Sequence, residues 1–584
     1  MSQACVTLSH TKMKRQYIIV VDVGSSSIRA SPYEIKKNEL HPYPDLKCAT
    51  IIGSPMMSEY GTANPKAFLE ATHTAITVCT EALRSYNTKT GFTILALGFD
   101  CFVMNWMGVD ETGEPVTPLY TYADSHPGSS RAARRMRREL KDTNDVESSY
   151  QRTGVTTHSS YVTVTLKRLQ DEEPELLRRV KRWQTFTSWF TGKLCGDVNN
   201  IPLSYSEASW TGLLNIRTMK WDAKTLKRLK SATFGKMPEL ADFDCTLDRK
   251  KKINVVSSSP HLNGVPVFLA VGDGAAANVG SGCTSLKRIA VTIGTSAATR
   301  IVLPNIDRIP KGLWCYRIDR NRLLLGGAMT DGGSINQWIL HVLRFANQSE
   351  LTLGMKKIVA DDHGLTVLPF LRGERAPGWC DGASMTISNI KSSTTQSDIA
   401  RACVEACLLR LGTIIHLVLS SFEDSKSVRM CGSGSVLTSS PLWCQILADI
   451  TGRVLYVSSA EEATSRGVAM LLGESLNIDI SKARSVAETE DQVYEPNMKN
   501  HVRYMKANER LNRLYESMLD VVDEDEMDEK KEELELNDDT VASMRSSSSD
   551  GLLGPPRACV FRPKRRAGPL RKWCNICGKH KSSH

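Results

Sequence analysis

The chain has 584 residues, 74 Lys and Arg against 64 Asp and Glu, a formal net charge of +10 and an apolar fraction of 41%. That length allows two large domains plus extra segments, and the charged and apolar fractions are those of an ordinary globular protein. No apolar run approaches the roughly 20 residues that span a bilayer, the first 15 residues lack the apolar centre of a secretory signal, and the 16 scattered Cys suit reduced thiols in a cytosolic protein better than a disulfide framework.

In chain order, residues 1–15 read as a polar lead. The run YIIVVDV from Tyr17 reads as a strand buried on both faces, because such strands are continuously apolar. It breaks at Asp22 into Gly24, Ser25, Ser26 and Ser27, with Arg29 beyond. Such a turn leaves backbone N–H groups and hydroxyl donors able to wrap polyphosphate oxygens, and Arg29 adds charge. Asp22 would repel phosphate directly, but it suits Mg2+ held through water. Read alone, the loop is equally a plain β-turn. The basic runs RAARRMRREL (131–140) and LKRLKS (226–231) have helical spacing and read as solvated helix faces rather than nucleic-acid sites. A second strand-and-loop, VPVFLAVGDGAAAN (265–278), places Asp273 where a strand ends and a helix starts, between Gly272 and Gly274. Asp273 is the candidate base; read alone, it is a helix N-cap. IAVTIGTS (289–296) repeats the pattern and puts Gly294 and Thr295 after another apolar run. Loops of this kind in this order build a cleft that grips a nucleoside triphosphate and aims it at a hydroxyl. Residues 16–286 then read as a first α/β lobe and 287–478 as a second. A closing segment follows at 479–522, its amphipathic helix (494–522) packing back on the body.

The tail differs in kind. From 523 to 539 there are 11 acidic and 2 basic residues, and from 541 to 584 there are 10 basic and 1 acidic. Such blocks bury too little apolar surface to fold alone, so 523–584 reads as disordered. PKRR (563–566) reads as a solvated basic segment before it reads as a nuclear-import patch. Cys574, Cys577, His580 and His584 have Zn2+-ligand chemistry, but the Cys and His pairs stand much closer together than in a zinc finger.

These motifs together resemble the FGGY carbohydrate kinases over roughly residues 17–519. DVGSSSIR (22–29) resembles the family's first phosphate motif, GDGAAANVGSG (272–282) its catalytic-Asp motif and IGTSAATR (293–300) its second phosphate motif. LGFDCFVMNWM (97–107), RTGVTTHSSY (152–161), LPFLRGERAPGW (368–379) and GSGSVLTSSPLW (432–443) follow the same order. RTG…HSSY, TGLLNIRT, GERAP and SSPLW are most similar to the gluconokinase-like branch. The resemblance implies an α/β fold of two ribonuclease-H-like lobes, the sugar kinase/actin/heat-shock-ATPase fold, with a cleft between them. It implies ATP and Mg2+ as cofactors, a small sugar or sugar acid as partner with a homodimer among the expected assemblies, and a cytoplasmic enzyme that engages no nucleic acid or membrane. Asp273 is implied as general base. Asp22, Gly24, Ser25, Ser26, Ser27, Arg29, Gly294, Thr295, Gly432 and Gly434 are implied around the nucleotide, and Asp124, His158 and Tyr161 around the substrate.

The chain departs from that pattern in places. Met104 stands where relatives carry His, and His126 where they carry Arg, which would cost a sugar-acid carboxylate its bidentate partner. Ser435 stands where relatives carry a second glycine, at a cost of about 1 kcal/mol if it takes a glycine-like conformation. Glu374 and Arg375 are expected to pair, and Trp443, Gln445 and Asp449 to pack. The alternatives left open are a kinase of another sugar or polyol, a weakened regulatory member of the fold, and an actin- or chaperone-like ATPase.

Overall fold

The computed structural model describes residues 14–248, 253–422, 424–489 and 491–518. The expectations for the extreme N-terminus and for the tail, PKRR and the Cys574/Cys577/His580/His584 group included, lie outside the described residues. The apolar run at Tyr17 forms β1 (Arg15–Val23), which turns at Gly24 into the antiparallel β2 (Ser27–Lys36). β3 (Phe92–Cys101) lies parallel to β1 on its other side, and the short β4 (Val271–Gly272) lies parallel to β3. Two short strands, Glu39–Leu40 and Thr50–Gly53, add to β2.

The second half repeats this plan. β5 (Arg288–Ile293) turns at Gly294 into the antiparallel β6 (Ala297–Leu303), while β7 (Trp314–Arg317) and β8 (Leu323–Met329) extend the sheet beyond β6. On the other side of β5 lie the parallel strands β9 (Arg429–Ser433) and β10 (Leu455–Val457), and β11 (Gln492–Tyr494) closes the edge. The order β4-β3-β1-β2 therefore matches β10-β9-β5-β6. In both sheets a tight hairpin loop, 24–26 or 294–296, leaves the central strand toward the same edge as the parallel strands' C-terminal ends.

Five helices bear on the site. α1 (Pro65–Tyr86) starts at Asn64, whose side chain accepts from the Lys66 and Ala67 amides, and packs on β2. α2 (Pro127–Asp142) follows the segment that carries Asp124. α3 (Asp273–Gly280) leaves directly from β4. α4 (Gln396–Leu419) opens on a capping box of Thr395 and Asp398 and packs on β6 and β8. By length and composition α4 is apolar enough to cross a membrane, yet 78% of that window is buried inside the body. α5 (Ala463–Ser475) returns from the second sheet to pack on β1, β3 and α3. Its residues Val468 to Leu472 share the core of the first sheet, so the sequence stretch 287–478 contributes to both cores. The helix starts at 498 rather than 494, because Gln492–Tyr494 pairs with β10 as β11, and over 498–518 it buries Tyr504, Ala507 and Leu511 in the second core.

Candidate active site

A cavity of about 730 Å³ lies where the loops of both sheets converge. Its floor is made by strand ends, the place where parallel sheets present side chains to ligands. β1 and β3 run in register so that Asp22 lies beside Asp100, and β3 and β4 so that Asp100 lies beside Val271, two residues before Asp273. Three adjacent strands thus end in three carboxylates. Burial, opposed by the Arg300 charge and the Gly274 amide, pushes the Asp273 carboxyl up to about 6. Burial likewise raises Asp22, and burial with the charge of Asp22 raises Asp100 well above the usual carboxylate range. Asp273 is the first residue of α3, and its Oδ1 accepts from the Gly274 amide at 2.6 Å. Oδ2 has no hydrogen-bond partner among the described residues. The N-cap position belongs to Gly272.

The hairpin loops form the opposite rim. The Gly24 amide donates to the Ser27 carbonyl at 3.0 Å, and a Cβ at Gly24 would stand 2.7 Å from that oxygen, so the turn requires glycine. Ser25 and Ser26 line the cavity, and Ser25 Oγ lies 3.1 Å from the Tyr122 hydroxyl. Ser27 opens β2 outside the lining. In the matching loop the Gly294 amide donates to the Ser296 carbonyl at 2.9 Å, and Thr295 and Ser296 line the cavity. The amides of Gly332 and Ser334 donate to the Thr295 carbonyl, holding the loop. Gly432 and Gly434 sit behind it at the end of β9. Gly434 takes φ +92°, where a Cβ would meet the Ile293 carbonyl at 2.6 Å. Ser435 starts the short helix Ser435–Ser439; the left-handed position falls on Gly434, and the expected strain at Ser435 does not arise.

Three other expectations need correcting, and His126 takes a local role. Arg29 is ion-paired to Glu462 at 3.0 Å and is not a lining residue, because α5 brings a carboxylate to it from 433 positions away. Tyr161 is fully buried, its hydroxyl 2.9 Å from that of Tyr316; Tyr316, not Tyr161, reaches the cavity. His126 Nδ1 accepts from the Gly128 amide at 3.0 Å and so caps α2. Glu374 and Arg375 do not pair: Glu374 is bound by Arg410 and the Tyr515 hydroxyl, whereas Arg375 lines the cavity. Arg375 stacks over the Tyr122 ring at 5.3 Å and donates to the Tyr122 carbonyl at 3.2 Å.

Asp124 and His158 do line the cavity. Asp124 accepts from the His126 amide at 2.9 Å and from Ser129 Oγ at 3.0 Å. His158 Nε2 lies 3.0 Å from Asp381, which also accepts from Ser159 Oγ at 2.6 Å. Burial works against the Asp381 charge, but His158, Ser159 and Arg137 outweigh it and hold the carboxyl at about 2. Met104 lines the wall at φ +63°. Gln445 Nε2 donates to Asp449 at 2.8 Å, and Asp449 holds the Asn497 amide and Asn500 at the start of the last helix, a packing role.

Sequence profiles of known families agree with this geometry. The N-terminal domain of the FGGY family of carbohydrate kinases matches residues 17–280, and its C-terminal domain matches 289–475. The chain belongs to the FGGY family of carbohydrate kinases. It is 24% identical over 476 residues to the gluconokinase of Bacillus subtilis (strain 168), covering 78% of this chain and 86% of that one. It is 26% identical over 407 residues to the glycerol kinase of Geobacter sp. (strain M21), covering 67% and 78%. The ligand-bound xylulose kinase of Lactobacillus acidophilus superposes with a TM-score of 0.73 at 21% identity, covering 86% of this chain and 98% of that one. This FGGY kinase is therefore a carbohydrate kinase with two ribonuclease-H-like lobes around a cleft, and its family uses ATP as phosphate donor.

Three site features escaped the sequence reading. Asp100 ends LGFD as Asp22 ends IVVD, and that shared strand-end pattern was the available signal. Arg300 sits on β6 two residues after Ala298, and both line the cavity. Asp381 reaches His158 from 223 positions on, which no local pattern records. Asp273 lines the cavity, and Asp22 and Asp100 stand behind the lining on the adjacent strands, where the two buried oxygens of Asp100 accept no hydrogen bond among the described residues. Hard oxygen donors in surplus negative charge are the ligands Mg2+ takes.

Proposed function

We propose that this FGGY kinase transfers the γ-phosphoryl group of ATP to a hydroxyl of a small sugar acid of the gluconate kind, with Asp273 as general base, in a cytoplasmic setting. The observation that carries the base is the Asp273 carboxylate itself. It sits at a strand end, its Oδ1 is fixed by the Gly274 amide, its Oδ2 has no partner among the described residues, and burial poises it near 6. Such a group accepts the hydroxyl proton as the oxygen bonds to phosphorus and ADP departs, and positioned bases of this kind contribute about 10²- to 10⁴-fold. Ser25, Ser26, Thr295 and Ser296 supply hydroxyl and amide donors around the cavity for phosphate oxygens. Asp22 and Asp273 would hold Mg2+, which when bound neutralises the charge that grows on those oxygens.

Arg300 and Arg375 point to an acid group on the substrate. Both line the cavity, and neither has a carboxylate within ion-pair distance among the described residues. Burial lowers the pKa of both, so each is held at a cost that an anionic ligand would offset. A guanidinium matches a carboxylate with two parallel hydrogen bonds. Arg375 thus offers, from the GERAP segment, the donor that His126 does not. The test is kinetic. Arg375→Met should raise KM for gluconate at least tenfold and leave the KM for a pentitol within about threefold. A KM for gluconate that does not move overturns the sugar-acid reading while leaving the kinase reading intact.

A further inference from the structure

We propose that Asp381 is a positioning residue that turns the polar protons of the 158–160 wall away from the cavity, so that this wall offers hydrogen-bond acceptors and is read by hydroxyl groups of the bound acid rather than by its carboxylate. The inference rests on the sugar-acid reading of this cavity, but one arm of its test needs no ligand. His158, Ser159 and Ser160 line the cavity, and Asp381 meets them from outside the lining. Its Oδ1 accepts from Ser159 Oγ at 2.6 Å and from the Ser159 amide at 3.3 Å, and lies 3.0 Å from His158 Nε2. Its Oδ2 accepts from both terminal nitrogens of Arg137, on α2, at 3.4 and 3.5 Å. His158, Ser159 and Arg137 hold the carboxyl at about 2, so it stays ionised and accepts only. The order of the protons follows from these contacts. His158 Nε2 carries the hydrogen that meets Asp381. Nδ1 faces the Ser160 amide at 3.2 Å, and an amide nitrogen only donates, so Nδ1 carries none. Ser160 Oγ, 2.9 Å from Nδ1, then gives its hydrogen to that nitrogen, as Ser159 Oγ gives its own to Asp381. A serine hydroxyl has one hydrogen and two lone pairs. Both serines therefore keep lone pairs alone for a ligand, and both ring nitrogens of His158 are spent within the protein. Arg300 and Arg375, which also line the cavity, present N–H donors only. An acid that carries hydroxyls is thus sorted end from end, its carboxylate to the arginines and its hydroxyls to Ser159 and Ser160.

The test has two arms, both on the full-length chain. Nitrogen-15 NMR of histidine-labelled protein at neutral pH reads the ring protons of His158, whose signals are those lost in His158→Gln. Wild type should carry a hydrogen on Nε2 and none on Nδ1, and Asp381→Asn, whose amide can donate to Nε2, should gain the form with the hydrogen on Nδ1. Tryptophan fluorescence then measures the binding of gluconate and of its monodeoxyfluoro derivatives, since fluorine cannot donate a hydrogen bond. At one or more positions fluorine should weaken binding to wild type about tenfold or more, and that penalty should fall below about threefold in Asp381→Asn. A hydrogen on Nδ1 in wild type, or an unchanged tautomer in Asp381→Asn, overturns the proposal whether or not gluconate binds. Gluconate that binds while fluorine is tolerated within about threefold at every position overturns it as well. Gluconate that does not bind wild type overturns the sugar-acid reading, and the acceptor wall then stands or falls on the tautomers. Should Asp381→Asn not fold, Ser159→Ala and Ser160→Ala take its place, and a fluorine penalty unchanged in both overturns the proposal equally.

Discussion

Asp273 carries two opposite demands at the residue scale. Its carboxyl rises from 3.8 to about 6 because burial outweighs Arg300 and the Gly274 amide. The folded chain therefore binds that proton more tightly than the unfolded chain does. The stability cost of the bare carboxylate is fully present above about pH 6 and absent below about pH 4. Asp273→Asn should accordingly stabilise the fold at pH 8, by at most about 3 kcal/mol, and change nothing at pH 4, as read by denaturant melts at the two pH values. Catalysis runs the other way, since a base must be unprotonated. At low Mg2+, kcat/KM of wild type should climb as pH rises through about 6, and bound Mg2+ should move that limb to lower pH. A flat profile between pH 5 and 7 at low Mg2+ would remove Asp273 from the base role.

At the scale of elements, the approach of α3 and α5 is fixed by glycine. A Cβ on Gly280 would stand 1.8 Å from the Ala463 carbonyl, and one on Gly467 would stand 1.8 Å from the Ala276 carbonyl. The helices touch backbone to backbone, and α3 carries Asp273 as its first residue. Gly467→Ala should force them apart, lowering stability by about 1–3 kcal/mol and kcat by tenfold or more, with a smaller change in KM. Unchanged kcat would mean that α3 does not transmit the crossing distance to the site. A second contact joins the last helix to α4: Arg410 holds Glu374, which the Tyr515 hydroxyl also binds. Arg410→Ala strands a buried carboxylate and should cost about 3–5 kcal/mol, read as a shifted urea midpoint. Nearby, Asp361, His363 and Glu405 have metal-ligand spacing, but Arg510, Arg401 and Tyr504 already occupy the carboxylates. How much of this could be read in the sequence depended on range. The strand ends at Asp22 and Asp273 and the loops at Gly24 and Gly294 are local patterns of apolar run followed by glycine, and they stand where the sequence put them. Arg29, Tyr161 and Glu374 were misread because the fold hands each a partner from a distant segment that the motif does not contain.

At the scale of the whole molecule, two sheets of matching order place their hairpin loops around one cavity. That duplication explains why two similar glycine-serine loops recur almost 270 residues apart, a regularity visible in the sequence. The sequence did not reveal that α5, from the second half, is built into the core of the first sheet. The chain thus crosses back from the second sheet at the start of α5, where α5 meets α3 backbone to backbone. Closure around ligands excludes water as a competing acceptor. X-ray scattering should therefore show a smaller radius of gyration with a sugar acid and a non-hydrolysable ATP analogue together than with either alone. The central claim is tested most directly by ADP release from the purified full-length chain with ATP and Mg2+. The acceptors would be gluconate, other sugar acids, ketopentoses, pentitols and glycerol, each run with wild type and with Asp273→Asn. The account predicts turnover with a sugar acid and its loss, by 10²-fold or more, in the Asp273 variant. Turnover confined to an uncharged polyol, or turnover that survives Asp273→Asn, would contradict it.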